Sequence, residues 1–245
     1  MKIALASAPV RDRDIEFNKS TIIKIMIACR NQADLVVFGE SMLQGFNCLD
    51  WCYLADRNMA VSADGKEIKE IAQAAKSNAI AVSFGYIEKY DDTLYSSQIV
   101  IDDSGRTIYN YRRVSMGWKD NRLTDAHYKE GEHFDVFPFK GKRLSIALCG
   151  DLWTDGKTEE LKSLGADIVL WPVYCDFTPE AWNESVKFEY AQQAALCGGT
   201  VLYVNSFCID PMAPDCSSGG AALLEMGRIP VEIPAGVAGV LVVDV

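Results

Sequence analysis

The chain has 245 residues, 49% hydrophobic and 24% charged. That is enough to bury one sizeable α/β core and short for two, with the balance of an ordinary globular protein rather than a disordered one. Its net charge of −10 lacks the basic footprint that phosphate backbones require, which sets nucleic acid aside as a partner. No stretch has the length of a membrane span.

The first apolar run, residues 1–10, breaks into charge at Arg11, Asp12, Arg13 and Asp14, too early for a signal peptide. The expected location is the reducing cytoplasm, where the eight cysteines read as free thiols. Cys48 and Cys52 are four apart, but no second cysteine or histidine cluster completes a zinc site. No glycine-rich phosphate loop opens a helix. Neither a metal nor a cofactor is expected.

In chain order, residues 1–8 alternate and read as a strand. Residues 18–31 carry Ile22, Ile25, Met26 and Cys29 at helical spacing. Residues 33–38 are a continuous apolar run, as a buried strand should be. Residues 64–78 put Ile68, Ile71, Ala72 and Ala75 on one helical face, and residues 79–85 read as another buried strand. Segments 95–102 and 106–111 flank Asp103-Ser104-Gly105, a hairpin signal.

Residues 134–139 and 144–149 form a further strand pair, 158–164 a helix and 167–171 a strand. Pro179 opens a helix over 179–197, since proline suits a first helical turn. Strands at 200–205, 221–225, 229–233 and 239–245 close the chain. With no linker, low-complexity segment or repeat, residues 1–245 read as one α/β domain with a mixed sheet or two packed sheets.

Three polar side chains follow buried strands, where α/β active sites gather. Glu40 follows the run ending in Phe38-Gly39, Arg113 follows the strand ending at Tyr111, and Cys149 ends Leu144-Ser145-Ile146-Ala147-Leu148. A cysteine before Gly150-Asp151 sits on a turn whose backbone N–H groups can face a developing oxyanion. Its thiol, with a pKa of about 8.5, needs a cation or a base to attack at neutral pH. The plainer reading of each is a core cysteine and a capping glutamate; a desolvated glutamate in a cleft would instead shuttle protons. A histidine mechanism would have to use His127 or His133, both in the loop-like stretch 125–134, where solvated histidines are the simpler reading.

Together these segments resemble the nitrilase superfamily of carbon–nitrogen hydrolases, over essentially the whole chain. Residues 38–46, FGESMLQGF, resemble its glutamate motif, and residues 144–153, LSIALCGDLW, its cysteine motif with an aspartate two positions on. Residues 161–172 resemble the following helix and strand, 200–205 the strand ending in asparagine, and 219–245 the terminal hairpin and last strand. The resemblance implies an α-β-β-α sandwich of two mixed β-sheets flanked by helices. It implies a Glu-Lys-Cys triad with Cys149 as nucleophile and Glu40 as general acid and base. It also implies oxyanion or binding contributions from Gly150, Asp151, Trp153 and Tyr174, and a homodimer or higher homo-oligomer.

The substrate so implied is a small amide or ureido (N-carbamoyl) compound, with nitriles less common in the family. Aromatic residues Trp118, Trp153, Tyr174, Phe177 and Trp182 lie in segments able to line the pocket mouth, though core packing is their simpler reading.

The sequence departs from the family at the lysine, where Tyr111-Arg112-Arg113 replaces Tyr-Arg-Lys. Arginine stabilises an oxyanion but is a poor proton donor. The cation is therefore Arg113 by position, or Lys119 six residues on. Asp125 stands near the place of a second glutamate, and the later segment Gln193-Ala194-Ala195-Leu196 lacks both of the family's charges. Two rival expectations follow. One is a catalytically impaired relative that binds a small molecule or partner; the other is a redox-sensing protein in which Cys175 or Cys208 resolves an oxidised Cys149.

Overall fold

A computed structural model describes all residues 1–245. The elements are β1 (Lys2–Ser7), β2 (Pro9–Val10), α1 (Ile15–Cys29), β3 (Leu35–Phe38), α2 (Tyr53–Met59), α3 (Lys66–Asn78), β4 (Ala81–Tyr90), β5 (Thr93–Ile101) and β6 (Thr107–Arg112). There follow β7 (Phe137–Phe139), β8 (Lys142–Ile146), α4 (Lys157–Leu164), β9 (Ile168–Val173), α5 (Pro179–Ala181), α6 (Lys187–Ala195), β10 (Thr200–Asn205), β11 (Phe207–Cys208), β12 (Ala221–Glu225), β13 (Arg228–Ile233) and β14 (Gly239–Asp244).

Two six-stranded sheets form, ordered β14-β1-β3-β4-β5-β6 and β13-β12-β10-β9-β8-β7. Both are mixed: β1, β3 and β4 run parallel, as do β8, β9 and β10, while their flanks are antiparallel. The period-2 alternation explains the layering. On β1, Ile3 and Leu5 join a cluster that also holds Val169, Val201 and Val204 of the second sheet. Ala4 and Ala6 face the other way, with Ile22 and Met26 of α1 and Ile68 and Ile71 of α3. Helices thus cover the outer face of the first sheet, and the two sheets pack on each other. This is the α-β-β-α sandwich. No helix is long and apolar enough to cross a membrane.

Local chemistry sets the helix ends. Asp14 caps α1 by accepting the Phe17 N–H at 3.0 Å. Ala79 closes α3 in the left-handed region at φ 50°.

The structure adds the short strands β2 and β11, starts β7 only at Phe137 and α1 already at Ile15, and departs most from the sequence reading at four further places. The strand expected to stop at residue 85 runs to Tyr90 and pairs with β5 down to Tyr90–Thr93, across a tight turn at Asp91 and Asp92. Helix α2 gave no apolar period because it is short and leaves Leu54 exposed. The helix expected over 179–197 is α5, a π turn at Trp182–Val186 and then α6. Finally, β8 stops at Ile146, and Cys149 opens a 3₁₀ turn, Cys149–Trp153, rather than ending a strand.

Candidate active site

Glu40 leaves the end of β3 where the two sheets touch. Its backbone N–H donates to the Val173 carbonyl of β9 at 3.2 Å. Gly39 is obligatory there: a Cβ would lie 2.5 Å from Ser206 Oγ and 2.9 Å from Val173 O. Gly85 serves similarly on β4, where a Cβ would come within 2.7 Å of Glu40 Cα. The Glu40 side chain is fully buried. Its Oε1 accepts from Ser96 Oγ at 2.8 Å and from Arg113 Nη1 at 2.9 Å. Its Oε2 has no protein partner.

Arg113 directly follows β6 and is 3% exposed. Besides Glu40, its Nε donates to Ser115 Oγ at 2.7 Å. Nη2 lies over two glycines: a Cβ on Gly150 would sit 2.6 Å from it, and one on Gly117 3.1 Å. The guanidinium therefore spans from the glutamate to the turn that carries the cysteine. Burial opposes its charge most strongly, but Glu40, Cys149 and Asp151 together outweigh it, so its pKa rises.

Cys149 is half-buried and holds φ 40°, a left-handed conformation that costs a non-glycine residue about 1–3 kcal/mol. Such strain persists only where the surroundings impose it. Here Trp171 Nε1 donates to the Cys149 carbonyl at 2.9 Å, and Asp151 anchors the turn. That fully buried carboxylate accepts from Leu148 N at 2.7 Å, Ser115 N at 2.8 Å, Val114 N at 3.1 Å and Tyr111 Oη at 2.6 Å. One side chain thus ties the cysteine turn of the second sheet to the segment after β6 in the first. Burial pushes the Asp151 carboxyl up, against the pull of Arg113 and these donors.

The Cys149 sulfur lies 3.9 Å from Cys175 Sγ and 3.8 Å from the Tyr174 carbonyl. Its thiol is held below its ordinary value: the Cys175 hydrogen bond acts most strongly, burial opposes, and Arg113 lowers it while Glu40 raises it. Glu40, Arg113 and Cys149 therefore meet in one electrostatic environment. A sulfur nucleophile beside a fixed cation and a desolvated carboxylate can perform acyl transfer with proton shuttling.

The other expected residues divide. Gly150 and Asp151 are in the site. Trp153 is 45% exposed at its edge, its ring against Tyr190 with centroids 5.1 Å apart. Tyr174 contributes its carbonyl; its ring stacks on Phe46 at 4.5 Å and its hydroxyl donates to the Asp215 carbonyl at 2.8 Å.

Lys119 is not brought to Glu40. It donates to the Tyr128 carbonyl at 2.6 Å and pairs with Glu130 at 2.7 Å, because the loop after Trp118 turns it back on its own segment. Asp125 is likewise elsewhere, exposed and bonded to His127. It closes a local turn and does not support the cation. Where the family's later charges are absent, Gln193 Nε2 donates to the Leu152 carbonyl and holds the cysteine turn from α6.

Sequence reasoning missed Ser96 and Ser115, hydroxyls on a strand and a loop that carry no pattern. It passed over Asn205 as a site residue, although that residue clamps Cys175 through both backbone N–H (3.1 Å) and C=O (3.0 Å). Its place at the end of an apolar strand was the available signal.

Known proteins resemble the chain along its length. A family model described as Carbon-nitrogen hydrolase matches residues 2–245. An (R)-stereoselective amidase of a Pseudomonas species is 27% identical over 239 residues, covering 93% of this chain and 81% of that one. An arylacetone-specific nitrilase of Alcaligenes faecalis is 28% identical over 205 residues, covering 78% of this chain and 56% of its own length. An amidase structure from Nesterenkonia sp. AN1, with acrylamide added at its active-site cysteine, has TM-score 0.80 at 20% identity, over 100% of this chain and 93% of that one. These likenesses to solved structures show the fold.

Proposed function

The chain belongs to the carbon–nitrogen hydrolase family, and from that premise we propose that it is an amidase-type hydrolase of non-peptide C–N bonds, with Cys149 as nucleophile. The observation that carries the proposal is the strained Cys149 turn, with its sulfur under the field of the Glu40–Arg113 pair. The amidase and nitrilase relatives support it.

In this reading Glu40 takes the Cys149 proton through its unpartnered Oε2, and the thiolate adds to the substrate carbonyl carbon. Arg113 Nη2 and the Gly150 N–H face the oxygen that gains charge. Glu40 returns the proton to the leaving nitrogen as the C–N bond breaks, leaving a thioester. It then takes a proton from water, the resulting hydroxide adds to the thioester carbon, and as the C–S bond breaks to release the acid Glu40 hands that proton back to the Cys149 sulfur. Arg113 acts as a fixed charge throughout, since a guanidinium does not give up its proton. A small amide fits best, with ureido compounds next.

Cys149→Ala is expected to abolish ammonia release from a panel of aliphatic and aryl amides, N-carbamoyl amino acids and nitriles, with an unchanged melting curve. Turnover surviving in that variant contradicts the mechanism.

The arginine at the lysine position favours a second reading, a catalytically impaired relative that binds a small molecule. Thiol labelling separates the two: an enzyme has one cysteine reactive well below pH 8, lost in Cys149→Ala. We also propose cytoplasmic residence and a homodimer. The dimer is supported by the exposed apolar side chains Phe188 and Leu196 on and just after α6; light scattering across a concentration series tests it.

A further inference from the structure

We propose that Cys175 is a positioning residue that favours the Cys149 thiolate formed as Glu40 takes the thiol proton, through hydrogen bonds running from the Tyr190 hydroxyl to the Cys175 thiol and on to the Cys149 sulfur. The inference rests on Cys149 being the nucleophile and adds a residue outside the Glu40–Arg113–Cys149 set.

The geometry is a chain of three atoms. Tyr190 Oη lies 3.2 Å from Cys175 Sγ, which lies 3.9 Å from Cys149 Sγ. When Cys149 is ionised it can only accept, so Cys175 donates to it and, its one proton used, accepts from the Tyr190 hydroxyl. Every member is held. Asn205 grips the Cys175 backbone on both sides, at 3.1 and 3.0 Å, and its Oδ1 also accepts Ser217 Oγ at 2.9 Å. The Tyr190 ring is wedged among Trp153, Trp171 and Trp182, with centroids 5.1, 4.9 and 4.9 Å away. Cys175 and Tyr190 are both buried, and Cys149 is half-buried at the open end of the chain.

The charges around the sulfur explain why such a donor matters. The groups that act on it are Arg113 and Glu40, which follow β6 and β3, and Cys175, which follows β9; Tyr190 of α6 and Tyr203 of β10 are within electrostatic reach. Arg113 and Glu40 are ion-paired with each other. Arg113 favours the ionised sulfur and Glu40 disfavours it, while burial favours the neutral thiol. A further donor aimed at the sulfur adds to the Arg113 side of that balance. In keeping with this, the Cys149 thiol is lowered, and Cys175 is pushed well above its ordinary range, first by its bond to Cys149 and then by burial.

The test is the rate of iodoacetamide alkylation at Cys149 against pH, read on the Cys149 peptide because Cys52 and Cys216 are also exposed. Removing a hydrogen bond to an ionised group should raise the midpoint in Cys175→Ala by about one pH unit, roughly tenfold slower labelling near neutrality. Cys175→Ser keeps a donor and should recover at least half of that rise. Tyr190→Phe should shift the midpoint in the same direction by less.

A Cys175→Ala midpoint within ~0.3 unit of wild type, or one that serine does not lower, overturns the proposal. Should Cys175→Ala not fold, Tyr190→Phe decides on the same threshold. Labelling needs no substrate, so the two readings fail separately. An ordinary midpoint in the wild-type protein overturns the relay, while turnover that is lost in Cys149→Ala still identifies the nucleophile. A depressed midpoint indifferent to Cys175 removes the relay alone, and absent turnover with an intact relay removes only the hydrolase.

Discussion

A buried carboxylate and a buried guanidinium form the electrostatic centre of the site. Glu40 is fully enclosed and Arg113 is 3% exposed, joined at 2.9 Å. Removing one member of such a pair leaves an uncompensated charge, which costs about 3–5 kcal/mol. Arg113→Ala should therefore lower the denaturation midpoint markedly, measured by urea unfolding; a wild-type midpoint contradicts the pair's structural weight. Glu40→Gln keeps an acceptor for Ser96 and Arg113 but cannot carry the proton. It should also melt below wild type, because the buried guanidinium loses its counter-charge, and lose about 10²- to 10⁴-fold in turnover.

Gly117 and Gly150 give the guanidinium its room, and this explains how arginine is seated where the family has lysine. Glu40 and Cys149 stood out in the sequence as polar side chains after apolar runs, and the family resemblance made them the candidates. The choice between Arg113 and Lys119 was not legible, because it depends on how residues 115–131 fold back and give Lys119 to Glu130.

At the scale of elements, the β5–β6 hairpin shows how one carboxylate fixes a turn. Asp102 Oδ1 accepts from Ser104 N, Ser104 Oγ and Arg106 N at 3.0, 2.6 and 2.9 Å, and Oδ2 accepts from the Arg106 guanidinium. Burial pushes this carboxyl up, but the bonds from Ser104 and Arg106 outweigh it and hold its pKa at about 2, below the usual 3.8. A depressed acid stabilises the fold fully above the unfolded value and loses that contribution as pH falls through the folded value. Asp102→Ala should therefore melt lower than wild type at pH 7. The gap between them should narrow as pH drops from about 4 toward 2, measured by calorimetry.

This hairpin was legible because Asp103-Ser104-Gly105 is turn chemistry. The β4–β5 hairpin was not, since residues 86–94 mix charged and aromatic side chains and their turn has no glycine. The π turn at Trp182–Val186 was equally hidden, as nothing in an apolar helical pattern marks one inserted residue.

Across the whole molecule, the site exists only because two sheets pack together. Glu40 and Arg113 come from the first sheet, Cys149 and Cys175 from the second. The spacing between them is set at Gly39, where a methyl group would meet Ser206 and the Val173 carbonyl. Overpacking of this kind costs typically about 1–3 kcal/mol. Gly39→Ala should lose turnover beyond that stability cost, because it moves Glu40 relative to Cys149; a well-folded variant with wild-type kinetics contradicts this placement. The residues alone left one mixed sheet or two packed sheets open, and the resemblance supplied the sandwich; the odd residues of β1 and its even residues do separate into two apolar clusters. Which face met the other sheet was not legible, because both faces are apolar.

The most direct test is acid-quenched incubation of the wild-type protein with an amide substrate, followed by peptide mass mapping. Catalysis by a sulfur nucleophile requires the acyl group to be captured on the peptide carrying Cys149, and the adduct to disappear as ammonia and acid are released. Substrate turnover with Cys149 unmodified throughout, or acylation of a different residue, would contradict it.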